Sequence, residues 1–192
     1  MADSRTPITD PQRLKALAHP MRWKLIRLIG SEETATATRC SEVLGESVAS
    51  CSYHLNMLAK YGFVEEAPGG QGREKPWKLT TRRQTLDTEG LDDETKMAVE
   101  AASDAFLETE FEEIRVQLRR SDLEPKEWQD AIGSRASSFW VTAAEAAEFT
   151  ETFHELANRF QDRWENPELR PEGARVLRIF TTTYLAPRHP DH

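Results

Sequence analysis

The sequence SVASCSYHLNMLAKY, from Ser47 to Tyr61, has the pattern of a short amphipathic helix with a defined start and a defined end. Ser47 predicts the N-cap, because a serine side chain accepts a hydrogen bond from a free amide of the first helical turn. Gly62 follows, and a glycine there is suited to the left-handed turn that ends a helix. Between these limits one apolar stripe recurs at helical spacing, formed by Cys51, Leu55 and Leu58.

The opposite face of this helix carries no carboxylate. It consists of Ala49, Tyr53, Asn56 and Lys60. A solvent-facing helix usually mixes Glu with Lys, so a face that is small or hydrogen-bonding and free of acid is typical of a helix that approaches a polyanion. The stretch is therefore predicted to be the recognition helix of a DNA-binding domain.

The flanking segments predict the rest of a winged helix-turn-helix domain. A short helix over residues 38–44 and the tight turn Gly45-Glu46 precede Ser47, which is the helix-turn-helix arrangement. Residues 63–67 and 73–80 predict two strands joined by a turn with three glycines in five residues, and such a hairpin after a recognition helix is a wing.

Charge divides the 192 residues into two parts. Residues 1–83 hold 13 Lys and Arg against 9 Asp and Glu, a net charge of +4, whereas residues 84–192 hold 12 against 24, a net charge of −12. We therefore predict a DNA-binding domain over 1–83, a linker over 84–92 and an acidic C-terminal domain over 93–192. The alternative interpretation is that the acidic C-terminal part is an ordinary solvated surface, unrelated to DNA binding.

A long helix from Asp92 or Asp93 to about Arg120 is predicted to open the C-terminal domain. Its later half carries a coiled-coil-like seam with steps of 4, 3 and 4 residues, formed by Leu107, Phe111, Ile114 and Leu118. The seam predicts dimerisation. The same stripe also suits docking onto the core of its own chain.

The remaining C-terminal residues predict a strand, a helix and a second strand. Ser138–Val141 and Val176–Leu185 have strand composition, and between them Thr142 and Glu145 form a capping box that opens a helix. We expect the two strands to pair over this helix, so the fold class is mainly α with small β elements and an α+β C-terminal dimerisation or effector domain. Its aromatic residues are expected in a core; an effector pocket is the alternative, lined by Trp140, Phe153, Phe160, Phe180 and Tyr184.

Four runs in the N-terminal part are similar to a known family. LAHPMR at 17–22, SEVLG at 41–45, SYHL at 52–55 and YGFV at 61–64 together resemble the ArsR-type winged helix-turn-helix transcriptional regulators, over about residues 10–80. The wing sequence GREKPW at 72–77 is similar to that of longer, actinobacterial-type members with a C-terminal helical extension. The resemblance implies a bacterial-type homodimeric repressor that binds operator DNA and often leaves it when a small-molecule effector binds.

The resemblance does not extend to metal sensing. The best-known members bind metal through a Cys-Val-Cys pair on the helix before the recognition helix, whereas here Thr38 takes the place of a ligand cysteine. Cys40 and Cys51 fall at core positions, so we expect no metal, and core thiols rather than a redox switch. His54 is expected to stabilise the fold through a hydrogen bond rather than to bind a ligand.

The predicted DNA contacts divide by chemistry. Serines near the helix N-terminus suit phosphate, the two middle side chains suit bases or sugars, and the cations of helix and wing suit phosphate or the minor groove. The complete set is Arg39, Ser47, Ala49, Ser50, Ser52, Tyr53, Asn56, Lys60, Arg73 and Lys75. For Arg73 and Lys75, a solvated hairpin edge protected by charge is the alternative.

Enzyme motifs are missing from the sequence. His154-Glu155-Leu-Ala-Asn158 only approaches the zinc-protease pattern, because Asn158 stands where the second histidine is needed. We therefore predict no catalytic activity and no cofactor. Without a signal segment or a long apolar run, a soluble, cytoplasmic protein is expected. The alternative function is a winged-helix scaffold whose acidic C-terminal domain binds a protein partner.

Overall fold

The computed structural model describes residues 8–69, 74–81 and 90–187. The chain forms two compact units, Met1–Leu123 and Glu124–His192. Its described residues are mainly helical, with one small antiparallel sheet of two strands, so the predicted mainly α fold class is confirmed. No described helix combines the length and the apolar character that crossing a membrane requires.

Four short helices open the first unit: α1 (Pro11–Leu17), α2 (Pro20–Glu32), α3 (Ala37–Leu44) and α4 (Val48–Lys60). Each begins at a residue whose side chain accepts a hydrogen bond from a first-turn amide, namely Asp10, His19, Thr36 and Ser47. These caps satisfy donors that have no partner inside the helix, and they explain where each helix starts. The left-handed Gly45, with φ of 71°, makes the turn between α3 and α4.

The predicted wing is a hairpin of β1 (Val64–Glu66) and β2 (Trp77–Leu79). The strands are antiparallel, with Val64 opposite Leu79 and Glu66 opposite Trp77. Trp77 is also bridged to Ala35, since each backbone N–H donates to the other residue's carbonyl, at 3.0 and 2.9 Å. This bridge ties the wing to the segment between α2 and α3.

The core of the first unit is formed by side chains that exclude solvent completely. They come from all four short helices and from the start of the wing, and include Leu14, Leu17, Leu25, Ile29, Cys40, Leu55, Leu58 and Phe63. Burying a Leu, Ile or Phe side chain contributes about 1.5–3 kcal/mol each. The helix-turn-helix is therefore held as one packed body.

A long helix, α5 (Asp93–Leu118), belongs to this first unit. Its N-terminal half packs against α1 and α2 through small side chains, Ala98, Val99, Ala102 and Ala105, which allow close approach of the backbones. Ion pairs join the same helices: Lys15 with Glu94 at 2.7 Å, Lys24 with Glu112 at 2.9 Å and Arg27 with Glu113 at 2.9 Å. The division of the chain therefore falls after Leu123, C-terminal to the predicted linker at 84–92, of which residues 84–89 lie outside the described residues.

The seam on the C-terminal half of α5 remains accessible. Leu107 and Ile114 are half-buried, whereas Phe111 and Leu118 are exposed. The fully buried positions of α5 lie mainly on another face and end at Thr109 and Glu110. The seam is therefore not absorbed into the core of its own chain.

The second unit contains α6 (Lys126–Ala131), α7 (Ala143–Asn158) and α8 (Asp162–Glu165). The capping box predicted at the start of α7 is present, because the Thr142 side chain accepts from the Glu145 amide while the Glu145 carboxylate accepts from the Thr142 amide. At the surface, the guanidinium of Arg175 binds both carboxylate oxygens of Glu124, at 2.6 and 3.0 Å, and lies over the Trp128 ring.

The two strands predicted for this unit are wrong. Ser138–Val141 and Val176–Leu185 belong to no helix or strand of the described chain, and the expected sheet between them over α7 does not form. A strand needs a neighbour to accept and donate its backbone hydrogen bonds, and the described residues offer none. The expected aromatic core is wrong as well, because none of the described residues of the second unit is buried.

Candidate nucleic-acid interface

Helix α4 is fixed by one face and presents the other. Cys51, Leu55 and Leu58 are completely buried, as their helical spacing predicted. Because the helix turns by 100° per residue, the residues on its opposite side point outward, and the predicted outer-face residues Ala49, Tyr53, Asn56 and Lys60 are all exposed. The structure thus brings the predicted outer-face residues together on one acid-free surface.

Asn56 and Tyr53 are the hydrogen-bonding groups at the middle of this surface. The Asn56 amide donates one N–H to the Ser52 carbonyl at 2.8 Å, which orients the side chain. The same amide nitrogen, Nδ2, also lies 3.4 Å from the Ser52 hydroxyl oxygen. Its Oδ1 accepts no hydrogen bond from the described residues, so exchanging this long Nδ2 contact for a base lets the amide both accept and donate, as bidentate binding to adenine requires. The Tyr53 ring is 59% exposed and rests edge-on against His54, with ring centroids 5.1 Å apart.

The N-terminus of α4 supplies donors for an anion. The Ser47 hydroxyl oxygen accepts from the Ser50 amide at 3.1 Å, and its own hydrogen remains able to donate. Ser47 and Ala49 are exposed, whereas Ser50 and Ser52 are half-buried. Amides of a first helical turn attract phosphate, so this end of α4 suits backbone contacts rather than base reading.

Lys60 is the accessible positive charge of the recognition helix. Within residues 8–69 and 74–81 it is the one exposed Lys or Arg with no carboxylate within 4 Å. Its ammonium lies 5.4 Å from the centre of the Tyr61 ring. An unpaired cation keeps its full attraction for a phosphate, because no partner has to be displaced.

The other predicted phosphate contacts are paired within the protein. The Arg39 guanidinium binds Glu32 through Nε and Nη2, at 3.0 and 2.7 Å, and this hydrogen bonding and charge raise the pKa of Arg39. Lys75 pairs with Glu66 at 2.5 Å across the hairpin. Arg39 and Lys75 are exposed, but unlike Lys60 on α4 their charges are paired with carboxylates. Arg73 lies outside the described residues.

His54 and the two cysteines belong to the interior. The His54 ring contacts the His19 ring at a tilt of 47°, with centroids 4.5 Å apart. Its Nδ1 has no hydrogen-bond partner in the described chain, so the predicted hydrogen bond is not made by that atom. Burial, followed by the nearby His19 and Arg22, lowers the pKa of His54. This lowering of the pKa favours the neutral form of His54.

The thiols are unreactive for the same reason. Burial, followed by the neighbouring Cys51, raises the pKa of Cys40 to about 12, and burial raises that of Cys51. Only the thiolate is a strong metal ligand or nucleophile, so both cysteines serve as small apolar core groups. Within the described residues no group of three or more His, Cys, Asp and Glu side chains is placed to hold a metal ion.

Two features of the surface were missed by the sequence reasoning. Val48, in the first turn of α4, is 45% exposed and adds a branched apolar group suited to a thymine methyl. Its position directly after the cap was the available signal. In addition, the Thr38 hydroxyl donates to Glu74 at 2.9 Å and joins α3 to the wing, a contact that spacing along the chain does not reveal.

The predicted effector-pocket residues do not enclose a cavity in the second unit. Trp140 is completely exposed, Tyr184 and Phe160 are exposed, and Phe153 and Phe180 are only partly covered. A pocket that holds a small molecule buries most of the ligand surface. These side chains within one copy do not provide that enclosure.

Comparison with known proteins agrees with the geometry of the first unit. Residues 17–67 match a family model described as a helix-turn-helix domain, a span that runs from the end of α1 through α4 and β1. None of the curated proteins matches the chain. The N-terminal part of this protein therefore contains a helix-turn-helix domain, with α4 in the position of its second helix.

Proposed function

We propose that this protein is a sequence-specific, double-stranded-DNA-binding transcriptional regulator that acts as a homodimeric repressor. The observation that carries the proposal is the exposed, acid-free face of α4 within a helix-turn-helix domain. It combines a bidentate amide, an aromatic ring and an unpaired cation at one helix face. This is the chemistry with which an α-helix reads the major groove.

The first unit supports this function mechanically. Base reading requires side chains held in a fixed geometry, and α4 is anchored by completely buried residues along its length. Arg13 adds to this at the far end, since its Nε donates to the Tyr61 carbonyl at 3.1 Å while its guanidinium lies over Phe63. The reading face is therefore presented without a folding step upon binding.

The homodimer is supported by the seam on α5. Leu107, Phe111, Ile114 and Leu118 form an apolar stripe that its own unit leaves at least partly exposed. If this stripe packed against the same stripe of a second copy, both stripes would be removed from water. A two-fold dimer places two recognition helices on half-sites about one helical turn of DNA apart, which predicts a palindromic operator. We further propose that an unidentified small-molecule effector releases the protein from DNA. The proposed regulator has no catalytic activity and no resident metal.

A second candidate function is a scaffold that acts through protein contacts. It is favoured by the internal pairing of basic side chains, because Arg39, Lys75 and Lys78 are all bound to carboxylates of the same unit. Such pairing weakens the attraction for phosphate. A scaffold would bind duplex DNA weakly and without sequence preference.

Selection from a genomic fragment library, read by sequencing, tests the two functions. The regulator should enrich a small set of palindromic sites, and titration of one such duplex should give an affinity that falls steeply with salt. Binding at least 10³-fold tighter than to a scrambled duplex is expected of a specific regulator. No enrichment, together with equally weak binding to both duplexes, would leave the scaffold as the better function.

A further inference from the structure

The second unit exposes apolar side chains that a folded protein normally covers. Along its described residues no side chain is buried, although the unit carries a well-capped helix and two strand-like segments. The accessible aromatic side chains are Phe139, Trp140, Phe149, Phe160 and Tyr184. A unit without a core cannot offset the conformational entropy lost on folding, so this unit requires a partner whenever it is folded.

The two strand-like segments indicate how the partner binds. The first, 138–141, reads Ser-Phe-Trp-Val and carries no charge, and the second, 176–185, carries one charged residue among ten and five β-branched side chains. Both belong to no sheet of the described chain. Sequences with such high strand propensity are stabilised by pairing with a neighbouring strand.

Helix α7 adds an unpartnered apolar stripe. Phe149 and Leu156 lie about two helical turns apart on α7, and Phe160 follows two residues after its last residue, Asn158; each of the three is roughly half exposed. Glu148, Glu151 and Glu155 lie away from that stripe along the helix. The helix thus has the amphipathic pattern of one that covers a sheet, but the described residues of the second unit form no sheet for it to cover.

The exposed aromatic area is large enough for a stable dimer. The exposed fractions of the five aromatic side chains amount to about three and a half complete side chains. At roughly 150–250 Å² for each complete aromatic side chain, this is roughly 700 Å² per copy. Two copies would together bury roughly 1,400 Å² from these residues alone, within the range of about 1,200–2,000 Å² that stable interfaces occupy.

We propose that the Glu124–His192 units of two copies of this chain form one intertwined domain, in which residues 138–141 and 176–185 pair as strands between chains beneath the two α7 helices. A second copy fits because the unit needs its partner permanently, and a second copy is always made with it. The segments also carry almost no charge that would repel an identical surface. This inference rests on the proposed homodimer and adds a second interface to the one proposed at the α5 seam.

The test uses full-length protein in two measurements. Sedimentation equilibrium gives the dimer dissociation constant, and amide hydrogen exchange read by mass spectrometry reports protection of residues 138–141 and 176–185 above and below that concentration. The variants are Trp140→Lys and Tyr184→Lys, which place a charge in the proposed interface. Tyr53→Lys is the matched control, since it makes the same change at an exposed tyrosine of α4.

The wild type should be a dimer whose two segments are protected, and dilution to the monomer should abolish that protection. Trp140→Lys and Tyr184→Lys should each raise the dimer dissociation constant by at least about tenfold and remove the protection, while Tyr53→Lys should change neither. Fast exchange of both segments in a dimer would overturn the inference while leaving the homodimer intact. Protection that survives in the monomer would overturn it by indicating pairing within one chain, and a monomeric wild type would overturn both claims. Titration of the wild type with cognate and scrambled duplexes decides separately whether DNA binding stands.

Discussion

Replacing Asn56 by alanine tests whether α4 reads DNA, because the side chain is exposed and its loss should leave the fold intact. The change removes the hydrogen bond from Nδ2 to the Ser52 carbonyl, while alanine favours the helix by up to about 0.7 kcal/mol relative to asparagine. The two effects oppose each other, so the free energy of unfolding should change by less than about 0.5 kcal/mol. Leu55→Ala, one residue away but completely buried, should cost about 2–5 kcal/mol.

The effect on DNA binding should be much larger than the effect on folding. A bidentate contact between an asparagine and an adenine contributes about 1–3 kcal/mol of discrimination. Its loss in Asn56→Ala should therefore raise the dissociation constant for the cognate duplex by roughly 5- to 150-fold. The loss should fall on the cognate duplex and disappear when the contacted base pair is itself replaced. A contact that only positions the backbone would instead weaken both duplexes equally.

Fluorescence-anisotropy titration at fixed salt, on the cognate duplex and on single-base variants of it, measures this effect. Asn158→Ala makes the same chemical change in α7, at an exposed residue outside the proposed interface, and should bind like the wild type. Circular dichroism and urea unfolding establish that each variant is folded. If Asn56→Ala and Tyr53→Ala both keep the affinity and base preference of the wild type while folded, α4 does not read DNA.

Three further predictions concern the cations of the first unit, the buried His54 and the α5 seam. Lys60→Ala should flatten the dependence of log Kobs on log salt by about one unit. Lys75→Ala should leave this slope nearly unchanged, because the Lys75 ammonium is already paired with Glu66. Equal slopes for the two variants in salt titrations would contradict this prediction. Because the folded pKa of His54 lies below its unfolded value of about 6.5, its contribution to stability is present above that pH and is lost as the pH falls through the folded pKa. Urea unfolding at pH 7.5 and 5 should therefore show a smaller acid loss in His54→Gln than in the wild type, and an identical loss in both would reject the buried neutral histidine. Leu118→Glu should weaken the homodimer in light scattering, and an unchanged dimer would remove the α5 seam from the interface.

Helix-turn-helix and wing were predictable from the sequence because their signals are local. Ser47 caps the helix with its own side chain, Gly45 supplies a left-handed turn, and the spacing of Cys51, Leu55 and Leu58 selects the buried face. Each of these depends on residues a few positions apart. The long helix α5 and the Thr142 capping box were predictable for the same reason.

The pairing of charges depended on tertiary contacts. Arg39 looks like a phosphate contact in the sequence, but the fold places Glu32 beside it, and the hairpin register places Glu66 opposite Lys75. A cation's availability is set by which carboxylates the fold brings within a few ångströms. The sequence therefore identified which residues are basic. The tertiary structure showed that Lys60, on the recognition helix, is exposed and has no carboxylate partner among the described residues, whereas Arg39 and Lys75 are paired.

The strand composition of residues 138–141 and 176–185 and the amphipathic pattern of α7 could be recognised from the sequence, since composition and period are properties of a single segment. The three-dimensional structure was needed to show that these segments do not pair with each other and that the unit buries none of its described residues. A strand is completed by hydrogen bonds to a neighbour, and no local pattern states where that neighbour lies. Likewise α5 could be recognised as a helix from its sequence, but its packing against α1 and α2 follows from contacts between residues about 80 positions apart, such as Lys15 with Glu94.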